Sequence, residues 1–147
     1  MSGFTLDIKN FVEKAKKNPE TVARQVSFKL FSAVIKGTPV GEENGGRLRL
    51  NWQVAGATPA TGTIDGVDKT GAKAVAMAAD YVFKNSDWSE FTLTNNLPYA
   101  PVVEFGGYPG DGPNTVGGYS KQAPAGMVRV NVARFNTLLE EEAAKVR

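Results

Sequence analysis

The chain contains no cysteine and no histidine. Disulfides, zinc sites built on sulfur or imidazole, thiol nucleophiles and a histidine general base are therefore excluded, and a Ser-His-Asp triad cannot be assembled. Excess charge is also scarce. Seventeen Lys+Arg against fifteen Asp+Glu leave +2, too small a surplus to imply nucleic-acid or membrane binding by charge alone. No apolar run approaches the roughly 18–20 residues that cross a bilayer. Met1 to Asp7 lacks the basic-then-apolar pattern of a secretory signal. A protein made and kept soluble in a cytoplasm, with no membrane partner, is expected. What is present is ordinary for a folded protein: 147 residues, 41% hydrophobic and 22% charged, which predicts a single domain over 1–147.

Chemistry would have to come from Asp, Glu, Lys, Tyr or Ser, or from a hard cation on carboxylates. The glycine-rich stretches contain no phosphate loop, and the Gly-x-Gly at 110–112 is not followed by the glycines of a dinucleotide site. Glu42, Glu43, Asp65 and Asp68 do not fall at EF-hand spacing. Glu140, Glu141 and Glu142 would face three directions on a helix, which suits solvent. No catalytic residue, cofactor or metal is expected, and the chain reads as a non-enzyme.

Charge is unevenly spread. Residues 1–37 carry seven basic and three acidic side chains, and the remainder is slightly acidic. This supports either a solvated helix face or, as a competing reading, a DNA-binding module; no aromatics interleave with the basic residues as a single-strand platform requires.

Apolar spacing places the elements. Ile8, Phe11, Val12 and Ala15 predict an amphipathic helix over 7–17. Asn18-Pro19-Glu20 is a restart signal, with Asn18 as cap and Pro19 at the first helical position. A second helix then runs from Pro19 to about Lys36, closed by Gly37. Its apolar stripe is wide enough for a core and a subunit contact, and both readings stand. Arg47 to Val54 alternates strictly, with Leu48, Leu50, Trp52 and Val54 on one face, and predicts a strand. Residues 68–85, Ala-rich, predict a helix. Ser89 to Asn95 predicts a second strand, paired with 47–54. Tyr99 to Phe105 predicts one or two helical turns closed by Gly106. Val128, Val132, Phe135, Leu139, Ala143 and Val146 predict a helix of about five turns within 125–147, though Val128, Val130 and Val132 also alternate as a strand would. Loops fall at 38–46, 56–66 and 106–124. The expected class is α+β: a small mixed sheet packed against an N-terminal helix pair, a middle helix and a C-terminal helix.

Two features carry interaction signals. The nineteen residues from Gly106 to Pro124 hold six Gly, three Pro and two Tyr. A structureless loop of that length in a compact domain is usually a binding loop or a disordered one. Tyr108, Asp111, Tyr119 and Lys121 are its candidate partner-contact residues. Glu104, flanked by Val103 and Phe105, reads as a partly buried acid in an ion pair with Arg47 or Arg49.

Three segments resemble one family. Thr38-Pro39-Val40 with Gly46-Arg47-Leu48-Arg49-Leu50-Asn51-Trp52 is similar to the "TPV…TGRLR.NW" block of a tail-completion, or neck, family of minor tail proteins in long-tailed bacteriophages. Thr94-Asn95-Asn96-Leu97-Pro98-Tyr99-Ala100 with Glu104-Phe105-Gly106 resembles its "NN.PYA…E(Y/F)G" block. Gln122-Ala123-Pro124-Ala125-Gly126-Met127-Val128 resembles its "QAP.GMV" ending. The order and approximate spacing agree over roughly residues 10–147. The chain departs in a Gly-Glu-Glu-Asn-Gly insert after Val40 and in a lengthened loop over Gly107–Lys121. The resemblance implies a small α+β virion protein, assembled in the host cytoplasm. It implies a ring of copies, typically hexameric, between the head connector and the tail tube, with genomic DNA passing through the lumen without sequence-specific binding. A tail-terminator or other tube-capping role is the nearest alternative. Arg47, Arg49, Trp52, Asn96, Tyr99, Glu104 and Gly106 are the motif residues expected to matter structurally.

Overall fold

A computed structural model describes residues 2–7 and 18–145. In chain order the described elements are β1 (Ser2–Asp7), α1 (Pro19–Lys36), α2 (Arg47–Leu50), β2 (Trp52–Ala55), α3 (Ala72–Lys84), β3 (Glu90–Asn95), α4 (Ala100–Phe105), β4 (Thr115–Val116), β5 (Tyr119–Ser120), α5 (Arg129–Val132) and α6 (Phe135–Lys145). The fold is α+β. The helix predicted over 7–17 lies outside the described residues, except that Asp7 ends β1.

β3 is the central strand of a three-stranded sheet ordered β1-β3-β2. Its pairings run Ser2↔Asn95 to Asp7↔Glu90 on one side and Trp52↔Asn95 to Ala55↔Thr92 on the other. All are antiparallel, so among the described strands the sheet is not of mixed direction. Phe91 and Leu93 are fully buried on one face, and Thr92 and Thr94 are buried on the other. Burial on both faces is why a strand this short holds the sheet together.

α1 is the helix around which the others gather; it packs against both α3 and α6, and α3 lies on β2. Val22, Val26, Leu30 and Val34 form its inward stripe, widened by Phe31 and Ile35, and all six are buried. Each such side chain gains roughly 1.5–3 kcal/mol from leaving water. Phe28 is half-buried and meets Phe83 edge-on, ring centroids 5.4 Å apart. The start of α1 differs from expectation in one respect. Asn18 adopts a left-handed conformation (φ 50°) and its side chain makes no capping bond; its carbonyl instead accepts the N–H of Val22.

Three segments depart from the sequence reading. The first half of the predicted 47–54 strand is a helical turn, α2, and the strand begins only at Trp52. Gly46 is the pivot. At φ 112° its Cα lies so close to Asp68 and Lys69 that a Cβ would sit 2.7 Å from their backbone atoms. The side chain of Asn51 then holds the turn, its Nδ2 donating to the carbonyls of Arg47 and Ile64 while its Oδ1 accepts the N–H of Ile64. Leu48 and Leu50 are buried as the alternation predicted, by a turn instead of a strand.

The Ala-rich helix starts at Ala72, not Asp68. Asp68 is buried ahead of it, and its Oδ2 accepts the N–H of Ala74 at 2.8 Å, satisfying a donor of the first turn.

The C-terminal helix is broken in two. Arg134 donates its N–H to Asn131, a tighter bond than the α-helical one, and the chain re-aims at Ala133-Arg134. Phe135 and Leu139 then reach the core, while Val132 of the predicted stripe is left 39% exposed.

Candidate functional site

The three motif segments, far apart in the chain, are bonded to one another. The indole N–H of Trp52, a buried residue, donates to Thr38 Oγ1 at 2.8 Å. The side-chain amide of buried Asn95 donates to the Leu48 carbonyl at 2.8 Å. Gln122 pairs with the backbone of Val40 through both atoms of its amide. Glu104 receives the N–H groups of Met127 and Val128 at 2.6 and 2.7 Å.

Glu104 is the most heavily bonded side chain of this assembly. The acid is 2% exposed. Besides Met127 and Val128 it accepts the Arg129 N–H and the Arg129 guanidinium, both at 3.0 Å. Its partner is thus Arg129, and not the predicted Arg47 or Arg49. The reason is local: Gly126, at φ 84°, turns the chain so that three successive N–H groups point at one carboxylate, and a Cβ there would lie 2.6 Å from the Glu104 carbonyl. Burial pushes the Glu104 pKa up, but the three N–H groups and the guanidinium outweigh it and hold the acid below its ordinary range. A carboxylate so fully engaged is a tie between α4 and the α5 segment. Arg129 also stacks 4.9 Å over Phe105 and donates to the Tyr119 hydroxyl at 3.3 Å.

Arg49 is equally committed. Its guanidinium donates to the carbonyls of Thr38, Lys69 and Lys36, closing the end of α1 onto α2 and the 67–71 segment. Asn96 donates to the carbonyls of Ala60 and Gly62 and so pins the 56–66 loop. Gly106, at φ 85°, packs against the Tyr119 ring. Arg24 donates to the Val82 carbonyl and pairs with Glu20, and Lys29 pairs with Glu142. Two basic residues of α1 therefore hold the fold together.

The predicted structureless loop over 106–124 is a folded hairpin. β4 and β5 pair across Gly117-Gly118, both with positive φ, as a two-residue turn between twisted strands requires. The Gly118 carbonyl accepts the N–H groups of Gly107 and Tyr108. Asp111 Oδ1 accepts the Gly117 N–H at 2.9 Å, Tyr108 packs against the core, and Lys121 is exposed, its N–H donated to Asn114. The hairpin stands opposite the loop after α1. Between them lies a cleft of about 460 Å³, lined among others by Val40, Glu42, Arg47, Tyr99, Tyr108 and Gln122. Of the predicted contact residues, Tyr108 alone faces this cleft; Asp111 and Tyr119 stabilise the hairpin.

Sequence reasoning missed Arg129 as the partner of Glu104 and missed the pairing role of Gln122. The Gly-Gly dipeptide between Val116 and Tyr119 was a readable hairpin signal; nothing local marked Arg129.

Among the described residues no three carboxylates gather where they could hold a metal ion. No helix there is long and apolar enough to cross a membrane. Compared with known proteins, the chain matches no family model, no curated protein and no solved structure.

Proposed function

We propose that this chain is a structural assembly protein whose working surface is the cleft and rim formed by the 38–46 loop and the β4–β5 hairpin. One observation carries the reading: the three segments that resemble phage neck proteins are stitched together by Asn95–Leu48, Gln122–Val40 and Glu104–Met127/Val128 bonds, and Trp52–Thr38 closes the first of them on itself. Residues bonded in this way are expected to recur together as the signature of a fold, and not as chance matches along a chain. The side chains of Arg49, Asn51, Asn96, Glu104 and Gln122 in that signature are spent on holding loops in place, which suits a protein that presents shape.

The assembly is a ring of copies at the neck of a long-tailed phage, between head connector and tail tube. In a closed ring each contact is heterologous, one patch of a subunit meeting a different patch of the next. Obligate contacts of this kind bury large areas, often above about 2,000 Å². Phe105, Val116 and Val130 are large apolar side chains left exposed on the hairpin side, and Met77 and Phe83 are exposed on α3. They are apolar surface from which such a contact can be built.

Cryo-electron microscopy of tailed particles tests the reading. The expected result is a ring of this chain at the head–tail junction. Particles that assemble normally and infect without the chain would overturn it.

A further inference from the structure

Three polar side chains of the cleft wall differ from the arginines elsewhere in the fold. Arg49, two positions from Arg47, gives its guanidinium to three carbonyls, and Arg24 and Arg129 are likewise bonded. The guanidinium of Arg47 has no hydrogen-bond or ion-pair partner among the described residues, and neither have the hydroxyls of Tyr99 and Tyr108. All three residues line the same cleft, with Leu48 and Val103 supplying apolar wall. They lie close enough to act on one another. Burial raises the Tyr99 pKa, the Arg47 charge pulls it down, Tyr108 adds to the rise, and the net shift is upward. Tyr99 therefore remains a protonated donor at neutral pH. One permanent cation and two phenolic donors on the wall of one cleft are together able to hold a carboxylate.

The rim selects which anion. Glu42 and Glu43 line the cleft on the same loop and are exposed. Two carboxylates there repel a phosphate dianion or a nucleic-acid backbone more strongly than a single carboxylate, and they favour a basic residue beside it.

We propose that the cleft binds an extended segment of a partner protein through an Asp or Glu side chain. That carboxylate is held by Arg47 and the hydroxyls of Tyr99 and Tyr108, and a neighbouring basic residue meets Glu42 and Glu43. The inference rests on the docking reading above and names the chemistry of what docks.

Selection of a random dodecapeptide display library on the purified chain tests it. Arg47→Gln protein serves as the counter-screen. Enriched sequences are expected to carry Asp or Glu beside Lys or Arg. Synthetic peptides from the set should lose about tenfold or more in affinity on Arg47→Gln, on the Tyr99→Phe/Tyr108→Phe double variant, and when the acid is replaced by its amide. Inorganic phosphate and a short DNA duplex should not displace them. Peptides that bind Arg47→Gln as tightly as the parent, an enriched set without acid, no enrichment at all, or displacement by phosphate would each overturn the proposal. Enriched sequences matching a stretch of this chain would overturn the choice of a different partner in favour of a neighbouring copy. Thermal melting of each variant separates loss of binding from loss of fold. Native mass spectrometry on the same proteins separates the two readings. A ring that forms with no acid-bearing peptide selected sinks this inference alone, whereas no ring, alone or with a connector, tells against the assembly reading.

Discussion

Gln122 meets Val40 as a neighbouring strand would. Its Nε2 donates to the Val40 carbonyl at 2.8 Å and its Oε1 accepts the Val40 N–H at 2.9 Å. Eighty-two residues separate the two, so a single side chain ties the end of the hairpin to the loop after α1. Both residues line the cleft between those walls.

Gln122→Ala removes the tie while leaving the core untouched. Gln122 is exposed, so global stability should change by only about 1 kcal/mol or less. The local effect should be larger. Hydrogen exchange of the Val40 amide, followed by mass spectrometry of peptides covering 38–46, is expected to quicken, with the β3 amides unchanged. Unaltered exchange at Val40 would mean that the loop is held by something other than Gln122.

Trp52 couples burial to a polar bond. The indole is 1% exposed and its N–H meets Thr38 Oγ1, whose own hydroxyl donates to the Val34 carbonyl. Trp52→Ala should cost roughly 3–5 kcal/mol through the cavity it leaves. Trp52→Phe isolates the bond. Combined with Thr38→Val in a double-mutant cycle, it should reveal a coupling of about 1 kcal/mol. Urea unfolding of the four proteins measures both. A coupling near zero would show that the two side chains act independently.

Much of this architecture was legible in the residues, and the failures share a cause. Pro19 and Gly37 bound α1, and both limits are met, because local geometry decides where a proline or a glycine is tolerated. Phe91 and Leu93 set the face of β3 correctly because a period of two leaves little choice in a strand. The same period misled at Leu48 and Leu50. One turn of helix can bury both leucines when Asn51 and Arg49 reach distant carbonyls, and those carbonyls, at Ile64, Lys36 and Lys69, are not visible from the alternation. The Glu104–Arg129 pair failed in the same way, because the Glu104 carboxylate satisfies backbone N–H groups more than twenty residues away and tertiary bonds override the local pattern. The Gly117-Gly118 hairpin is different: its signal was local, but composition alone concealed it.

Ser32 offers a test of opposite sign. Its hydroxyl is the buried side-chain oxygen that finds no hydrogen-bond partner among the described residues, in a groove between α1 and α3 lined by Phe28, Ala33 and Val75. Removing an unsatisfied hydroxyl takes away a desolvation cost and creates no orphan. Ser32→Ala should therefore be neutral or stabilising by up to about 1 kcal/mol, and alanine also suits a helix interior better than serine. Thermal melting would show an unchanged or raised midpoint. A clear fall would reveal a partner for the hydroxyl in the free protein.

Two of the buried acids, Glu104 and Glu142, make stability depend on pH in a defined direction. Glu104 and Glu142 are 2% and 5% exposed. Burial raises the pKa of each, yet both lie below the ordinary value of 4.5. The cause is the N–H groups of 127–129 with Arg129 in one case, and Lys29 with Lys145 in the other. A carboxylate with a lowered folded pKa binds its proton more readily when unfolded. Its stabilisation is complete above 4.5 and is lost as pH falls below that value through the folded pKa. Stability from urea titrations should thus be nearly level from pH 7 to about 5 and fall below. Glu104→Gln keeps the size but removes the charge. At neutral pH it should cost roughly 2–6 kcal/mol, since the buried N–H groups of Met127 and Val128 lose a charged acceptor at about 1–3 kcal/mol each. As pH falls below 4.5 the gap between variant and parent should narrow, because the unfolded parent then binds a proton that the folded carboxylate resists. A gap that stays constant from pH 7 to pH 3 would show that Glu104 acts through its shape and not through its charge.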